Sequence, residues 1–484
     1  MLRSITLLLD VRSVLGIAIS SITLYFLTKV IYNVYFHPLS RFPGPISHAI
    51  SRLPYCYRAT TGTLPFDILE LHKKYGDIVR IAPDELAFSH PDAWKEIMGH
   101  KNGVPEMGKA AWFYRPIEQS LHIVNEDHEE HKQLRRQMAH GFSEKGMRGQ
   151  EPMIRKYVDI LLEKLKEVAE LREPLVLSDW YNFTTFDIIG DLAFGEPFGC
   201  LEGSNYDGWI QSIFDSGRLG TILQALSFFP SIKKLLLSLV PQSLKDAQQK
   251  HKDLTKAKML RRMAITEDRP DLIEGLLKKK DELGLDVEKL VANAEILIIG
   301  GSETTASLLS GVTYLLLTNS EAYDNLTCEV RSTFKSQDDI NLVSVNKLSY
   351  MLACLDEACA CIPLSPMVFL GSARQTFLSI HQWALYRRHE YFSEPNTYHP
   401  ERWMGSSQFA ADRRDAFQPF HLGPRNCLGR NLAYSEMRLI LALIIFNFDM
   451  KIADESRDWI VQKNFLMWQK GPLKVYLTPK TEVS

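Results

Sequence analysis

The sequence predicts a mainly α (α+β) protein, a helical body with small β-sheets preceded by one N-terminal transmembrane helix. Three observations predict it. Several long windows repeat apolar residues at spacings of three and four, the β-rich pieces between them are short, and an uncharged apolar run near the N-terminus ends in a proline cluster.

The helical windows are residues 67–75, 129–142, 151–171, 180–192 and 286–318, and the β-rich pieces are 78–82, 377–380 and 473–477. The charged stretch 245–280 mixes signs and reads as a solvated helix and loop. A chain of 484 residues, 45% hydrophobic and 24% charged, has the apolar content to bury a large core around an internal ligand. With 56 basic against 58 acidic residues the net charge is −2, which excludes a phosphate-tracking nucleic-acid binder on electrostatic grounds.

Residues 13–28 carry no charge, and the apolar character continues through Val30, Ile31, Val34, Tyr35 and Phe36. Lys29 can snorkel to headgroups, so the run reaches the roughly 20 residues that a bilayer needs. Bulky Tyr32, Tyr35 and Phe36 suit an interfacial belt better than a cleavage site. Lys29, Arg41, Arg52 and Arg58 follow the run and only Arg3 and Arg12 precede it, which favours a cytosolic body. Pro38, Pro43 and Pro45 cannot continue the helix and form a semi-rigid spacer. The expected organisation is an anchor over 1–36, a proline-rich hinge over 37–45 and a catalytic body over 46–484.

Seven cysteines, an odd and scattered set, fit a reducing compartment. Cys354, Cys359 and Cys361 share a helical spacing without a second ligand cluster and read as small buried residues. Cys427 differs. It stands just ahead of an apolar helix running to about residue 448, where backbone N–H groups and the helix dipole should lower its pKa and favour a thiolate. Gly423 and Gly429 allow a tight turn close to a flat ligand, Arg425 can fork onto a carboxylate, and Phe420 can shield the sulfur.

In the window 286–318 two adjacent glycines, Gly300 and Gly301, each cost about 1 kcal/mol relative to alanine inside a helix. Close approach of a ligand to the backbone would offset that cost. The acid–hydroxyl pair Glu303–Thr304 beside them can relay protons. His131 and Arg135, at i and i+4, can meet one anionic group.

The run Phe420-His421-Leu422-Gly423-Pro424-Arg425-Asn426-Cys427-Leu428-Gly429 has the form F-x-x-G-x-R-x-C-x-G and resembles the haem-binding loop of the cytochrome P450 family. Residues 300–305 are similar to that family's A/G-G-x-D/E-T-T/S helix, and 131–135 to its W-x-x-x-R helix with His for Trp. The resemblance implies haem b (iron protoporphyrin IX) with Cys427 as the thiolate ligand. It implies propionate contacts from Arg425, His131 and Arg135, a loop shaped by Phe420, Gly423 and Gly429, and Thr304 and Glu303 as the oxygen-activating hydroxyl and proton-relay acid. It further implies dioxygen as co-substrate, an NADPH–cytochrome P450 reductase as electron donor and an apolar small molecule as substrate. Segments 185–195 and 381–386 look like fungal members of secondary metabolism, which implies a single-pass protein of the endoplasmic reticulum membrane. Residues 101–119 and 217–239 are expected to line the substrate pocket.

One stretch departs from the family. Pro400-Glu401-Arg402-Trp403 matches its P-E-R-F segment and Glu357 its E-x-x-R glutamate, but Ala360 stands where arginine is expected. The segment 366–381 is also short by roughly a dozen residues as aligned by eye, and a hairpin beside the haem is expected to be missing. A tolerated variant, a non-catalytic relative and a translation of an interrupted gene all fit this departure. Arg374 is a candidate replacement contact. Two further activities stay open: haem binding without turnover, and a haem-thiolate isomerase or dehydratase.

Overall fold

The computed structural model describes residues 11–101, 103, 106–115, 121–206, 208–363, 368–371 and 376–480. Its centre is a 32-residue helix, Val287–Thr318, capped by the Asp286 side chain, which accepts a bond from Lys289 N. Its apolar residues recur on several faces, and every residue from 305 to 316 is buried. A helix this apolar all round belongs inside a large protein. Although its length and composition would allow it to cross a membrane, two thirds of its apolar window is buried, so it is the core helix. The helix Leu177–Phe194 packs along it and is buried at every position except Asp179. The buried carboxyl of Asp187 is satisfied by backbone N–H donors from Phe198, Cys200 and Leu201 at 2.9–3.1 Å.

The other expected helices form with shifted ends. The window 67–75 is helix Leu64–Tyr75, 129–142 is His128–Met138, and 151–171 is Glu144–Ala169. The last begins earlier than expected because Ser143 caps it, accepting from Gly146 N at 3.1 Å, and because Pro152 is accommodated inside it. In the charged stretch, helix Gln242–Ala264 is largely exposed, as expected, but buries Thr255, Met259 and Arg262.

Among the described residues nine strands form three small sheets. In the first, β1 (Ile78–Ala82) pairs antiparallel with β2 (Glu85–Phe88). A short β3 (Leu175–Val176) belongs to the second sheet. The first sheet continues with β4 (Val368–Gly371) and β5 (Phe377–Ile380), in the order β1-β2-β5-β4. The shortened segment still forms a hairpin: β4 and β5 pair antiparallel from Val368↔Ile380 to Gly371↔Phe377, and β5 runs parallel to β2. Such a ladder needs only four residues from each strand, so a short segment can still supply it. Arg374 lies outside the described residues. The second sheet adds β6 (Phe448–Ile452) and β9 (Lys474–Pro479), and β7 (Lys463–Phe465) and β8 (Met467–Gln469) form a hairpin.

At the N-terminus, helix Val11–Ile31 continues as a wider turn over Tyr32–Phe36, and Ser13–Phe36 is long and apolar enough to cross a membrane, with none of its apolar window buried. The proline segment behind it is seated on β1 rather than free. Arg80 N donates to Pro43 O at 2.8 Å, and the Arg80 guanidinium donates to Asn33 O at 2.8 Å. Cys354 and Cys359 are buried, and among the described residues no group of His, Cys, Asp and Glu is arranged to hold a metal ion.

Candidate functional site around Cys427

The cysteine loop is fixed by its own backbone. Cys427 N donates to Phe420 O at 2.9 Å and Asn426 N to Gly423 O at 3.1 Å, which closes the loop just before helix Arg430–Asn447. Gly423 has φ +84°, and a Cβ there would lie 1.8 Å from Met98 O, so glycine is required both by conformation and by space. Gly429 is different. Its φ of −82° is ordinary, and an added Cβ would make van der Waals contact with Phe142 at 3.7 Å and Cys427 Sγ at 4.0 Å. Gly429 lies in the turn before the helix, but a left-handed φ is needed at Gly423 alone.

Cys427 is exposed as a residue, while protein crowds its thiol. Burial pushes its pKa up, and the opposing pull of the Gly429 and Arg430 N–H groups and of the Arg135 and Arg430 charges is smaller. The expected lowering by the helix end is therefore outweighed. A sulfur so placed loses its proton when a metal cation binds it. Phe420 lies 5.1 Å from the Tyr434 ring, with the Arg430 guanidinium 5.9 Å from its centre.

On the central helix, the adjacent glycines have different surroundings. A Cβ on Gly300 would meet nothing within 4 Å, whereas one on Gly301 would lie 2.8 Å from Ile189 Cδ1. Gly301 is thus a helix-packing residue, and only Gly300 keeps a helix face clear. Ile296, Gly300 and Thr304, spaced by four, share that less buried face. Thr304 Oγ1 donates to Gly300 O at 2.6 Å. Glu303 faces elsewhere: it is buried, and its Oε1 accepts from Lys470 Nζ at 2.5 Å and Ser307 Oγ at 3.1 Å. The next hydroxyl, that of Thr305, hydrogen-bonds Glu436 of the cysteine helix, whose carboxyl burial pushes up to about 8. That contact ties the two helices together.

Among the described residues no protein carboxylate hydrogen-bonds both His131 and Arg135. Arg135 donates to Asn426 O at 2.7 Å and to Asn426 Oδ1, bracing the loop beside the sulfur. His131 is buried, and its pKa falls to about 4 through burial and the charge of Arg425. Arg425 is paired with a protein carboxylate, placing two donors on Oε1 of Glu106 at 2.8 and 2.7 Å, and also donates to Glu126 O at 2.9 Å. Lys109 lies in the same environment, and burial and Arg425 bring its pKa down to about 7. Glu106, Lys109 and Arg425 line one cavity of about 210 Å³. Sequence reasoning missed Glu106 and Lys109, which fall in a stretch it assigned only to pocket lining.

The ion network behind the loop closes without residue 360. Glu357 accepts from Arg402 Nε at 3.1 Å, Trp403 Nε1 at 2.7 Å and His399 N at 3.1 Å. Arg402 also donates to Ser393 O at 2.8 Å and pairs with Asp412. Ala360 instead packs with Phe417 and Leu422 against the buried cluster around Trp94.

A cysteine ahead of a helix, a helix face kept clear at Gly300, and Arg425, Arg135 and Lys109 near the loop suit the flat dianionic haem that the resemblance implies. Comparison with known proteins agrees. Residues 55–371 and 373–477 match the family described as Cytochrome P450. The chain is 47% identical over 483 residues to the cytochrome P450 monooxygenase prhB of Penicillium brasilianum, covering 97% of this chain and 99% of the relative. It is 41% identical over 480 residues to the trichothecene C-15 hydroxylase of Fusarium sporotrichioides, covering 94% and 96%, and 40% identical over 482 residues to the averantin hydroxylase of Dothistroma septosporum, covering 96% and 91%. With loop, central helix and near full-length similarity in agreement, the chain belongs to the cytochrome P450 family, among its fungal monooxygenases.

Proposed function

We propose that this protein is an NADPH- and dioxygen-dependent haem-thiolate monooxygenase that hydroxylates or oxidises an apolar small molecule in fungal secondary metabolism. The observation that carries this reading is Cys427, an exposed residue just ahead of a helix in a loop that Gly423 and Arg135 hold in place. Haem b would be held through Cys427, with Arg425, His131, Arg135 and Lys109 to meet its propionates, and would supply thiolate-assisted O–O cleavage when bound. The residues supply the rest. Gly300 leaves room above the helix backbone, Thr304 offers its hydroxyl on that face, and Glu303, on another side of the helix, is the proton-relay acid. In overall balance, substrate, O2, NADPH and H+ give hydroxylated product, water and NADP+, with electrons delivered by an NADPH–cytochrome P450 reductase. Residues 1–36 anchor the chain once in the endoplasmic reticulum membrane, 37–45 form the hinge, and 46–484 form the cytosolic catalytic body.

The closed network around Glu357 supports competence over a non-catalytic relative. The full chain, reconstituted in lipid vesicles with reductase and NADPH under ¹⁸O2, should convert a member of a panel of apolar small molecules to a product carrying one ¹⁸O atom. Turnover that proceeds without oxygen would instead identify an isomerase or dehydratase, and reduced haem-thiolate absorbance with no product across the panel would favour the non-catalytic relative.

A further inference from the structure

Glu303 has an unequal environment at its two oxygens. Oε1 is held by Lys470 and Ser307, and Lys470 Nζ also donates to Ser307 Oγ at 2.9 Å. Oε2 is buried and has no hydrogen-bond partner among the described residues. The side chains of Lys470 and Glu303 are 8% and 6% exposed, so this is a buried ion pair and not a surface one. Each unmet lone pair adds to the cost of burying the charge, so Oε2 is open to a further hydrogen-bond donor.

Lys470 is presented by a braced segment. On one side Trp468 Nε1 donates to Pro363 O at 2.8 Å, and on the other Gly471 O accepts from Trp459 Nε1 at 2.7 Å and Leu473 N donates to Ser178 Oγ at 3.1 Å. Beyond the pair lie Asp179 and Tyr206, with Tyr206 OH donating to Asp179 at 2.8 Å and Asn182 donating to Tyr206 OH at 2.9 Å. Asp179 feels the charge of Lys470, and Tyr206 that of Glu303, so these polar groups lie near the pair.

We propose that Lys470 is a positioning residue for Glu303: it holds the carboxylate through Oε1 and leaves Oε2 as the oxygen that takes up and passes a proton. This rests on the reading of Glu303 as the proton-relay acid. The consequence concerns how reduced oxygen leaves. Two electrons and two protons per O2 give hydrogen peroxide, and four of each give two waters, so slower proton delivery raises the peroxide share.

The test compares full-length holoprotein in lipid vesicles as wild type, Lys470→Met, Lys470→Arg, Glu303→Gln and the Lys470→Met/Glu303→Gln double variant. A buried carboxylate deprived of its cation takes up a proton, so infrared difference spectra of Lys470→Met against wild type should show a protonated-carboxyl band that the double variant lacks. In substrate-free, reductase-driven oxygen consumption, Lys470→Met should raise the ratio of peroxide to water about ten-fold, with Lys470→Arg near wild type. Absence of the carboxyl band in Lys470→Met overturns the positioning role. A band with an unchanged peroxide ratio also overturns it, and an unchanged ratio in Glu303→Gln would locate that failure in the relay reading itself.

Discussion

The cysteine loop and the Glu357 network lie next to each other and are built on opposite principles. The loop is held by backbone: Cys427 N to Phe420 O, and a Gly423 whose missing side chain leaves room for Met98 O. The network is held by side chains, with Glu357 surrounded by Arg402, Trp403 and His399 N. Backbone devices demand one residue type at one position. Side-chain networks can lose a member and close through others, which is why Ala360 departs from the family pattern without leaving Glu357 unpaired.

That contrast can be broken first at Arg402. Its side chain and that of Glu357 are each 2% exposed, and Arg402→Met would strand both Glu357 and Asp412, so a loss of about 3–5 kcal/mol in denaturant unfolding of the holoprotein is expected. A loss below about 1 kcal/mol would show that the network contributes little. Gly423→Ala should cost more than about 2 kcal/mol because the added Cβ meets both a left-handed φ and Met98 O, while Gly429→Ala, free of both, should cost less than about 1 kcal/mol. Equal losses at the two glycines would contradict the backbone account of the loop.

Glu357→Gln is expected to cost less than Arg402→Met, about 1–2 kcal/mol. Burial raises the Glu357 pKa despite Arg402, so the charge itself is expensive there and a neutral isostere gives part of that cost back. The smallest effect is expected for Ala360→Arg. Glu357 already has its partners, and a long side chain at a partly buried site can turn towards water, so stability should change by less than about 1 kcal/mol and haem content should not rise. A several-fold rise in haem content would mean that the network needs the arginine after all.

These differences explain what could be read in advance. The loop and the central helix were legible because their requirements are local: glycines, a cysteine and a helix start within a few residues. Partners distant in sequence were not. Arg425 meets Glu106 from 319 positions away, and Glu303 meets Lys470 from 167. Neither pairing leaves a periodic or spaced signal. The sequence also places Gly300 beside Gly301 and Glu303 beside Thr304 as if each pair acted together, but helical rotation of about 100° per residue sends neighbours to different surroundings. For Cys427, the helix-end argument was sound in direction and too small in size, since burial depends on the whole fold.

The account depends most on the sulfur of Cys427 as the ligand of the haem iron. The carbon monoxide difference spectrum of the reduced, full-length holoprotein tests this directly, measured for wild type and Cys427→Ala. The account predicts the red-shifted Soret band of a thiolate-ligated haem in the wild type and its complete loss in the variant. Retention of that band in Cys427→Ala would contradict it.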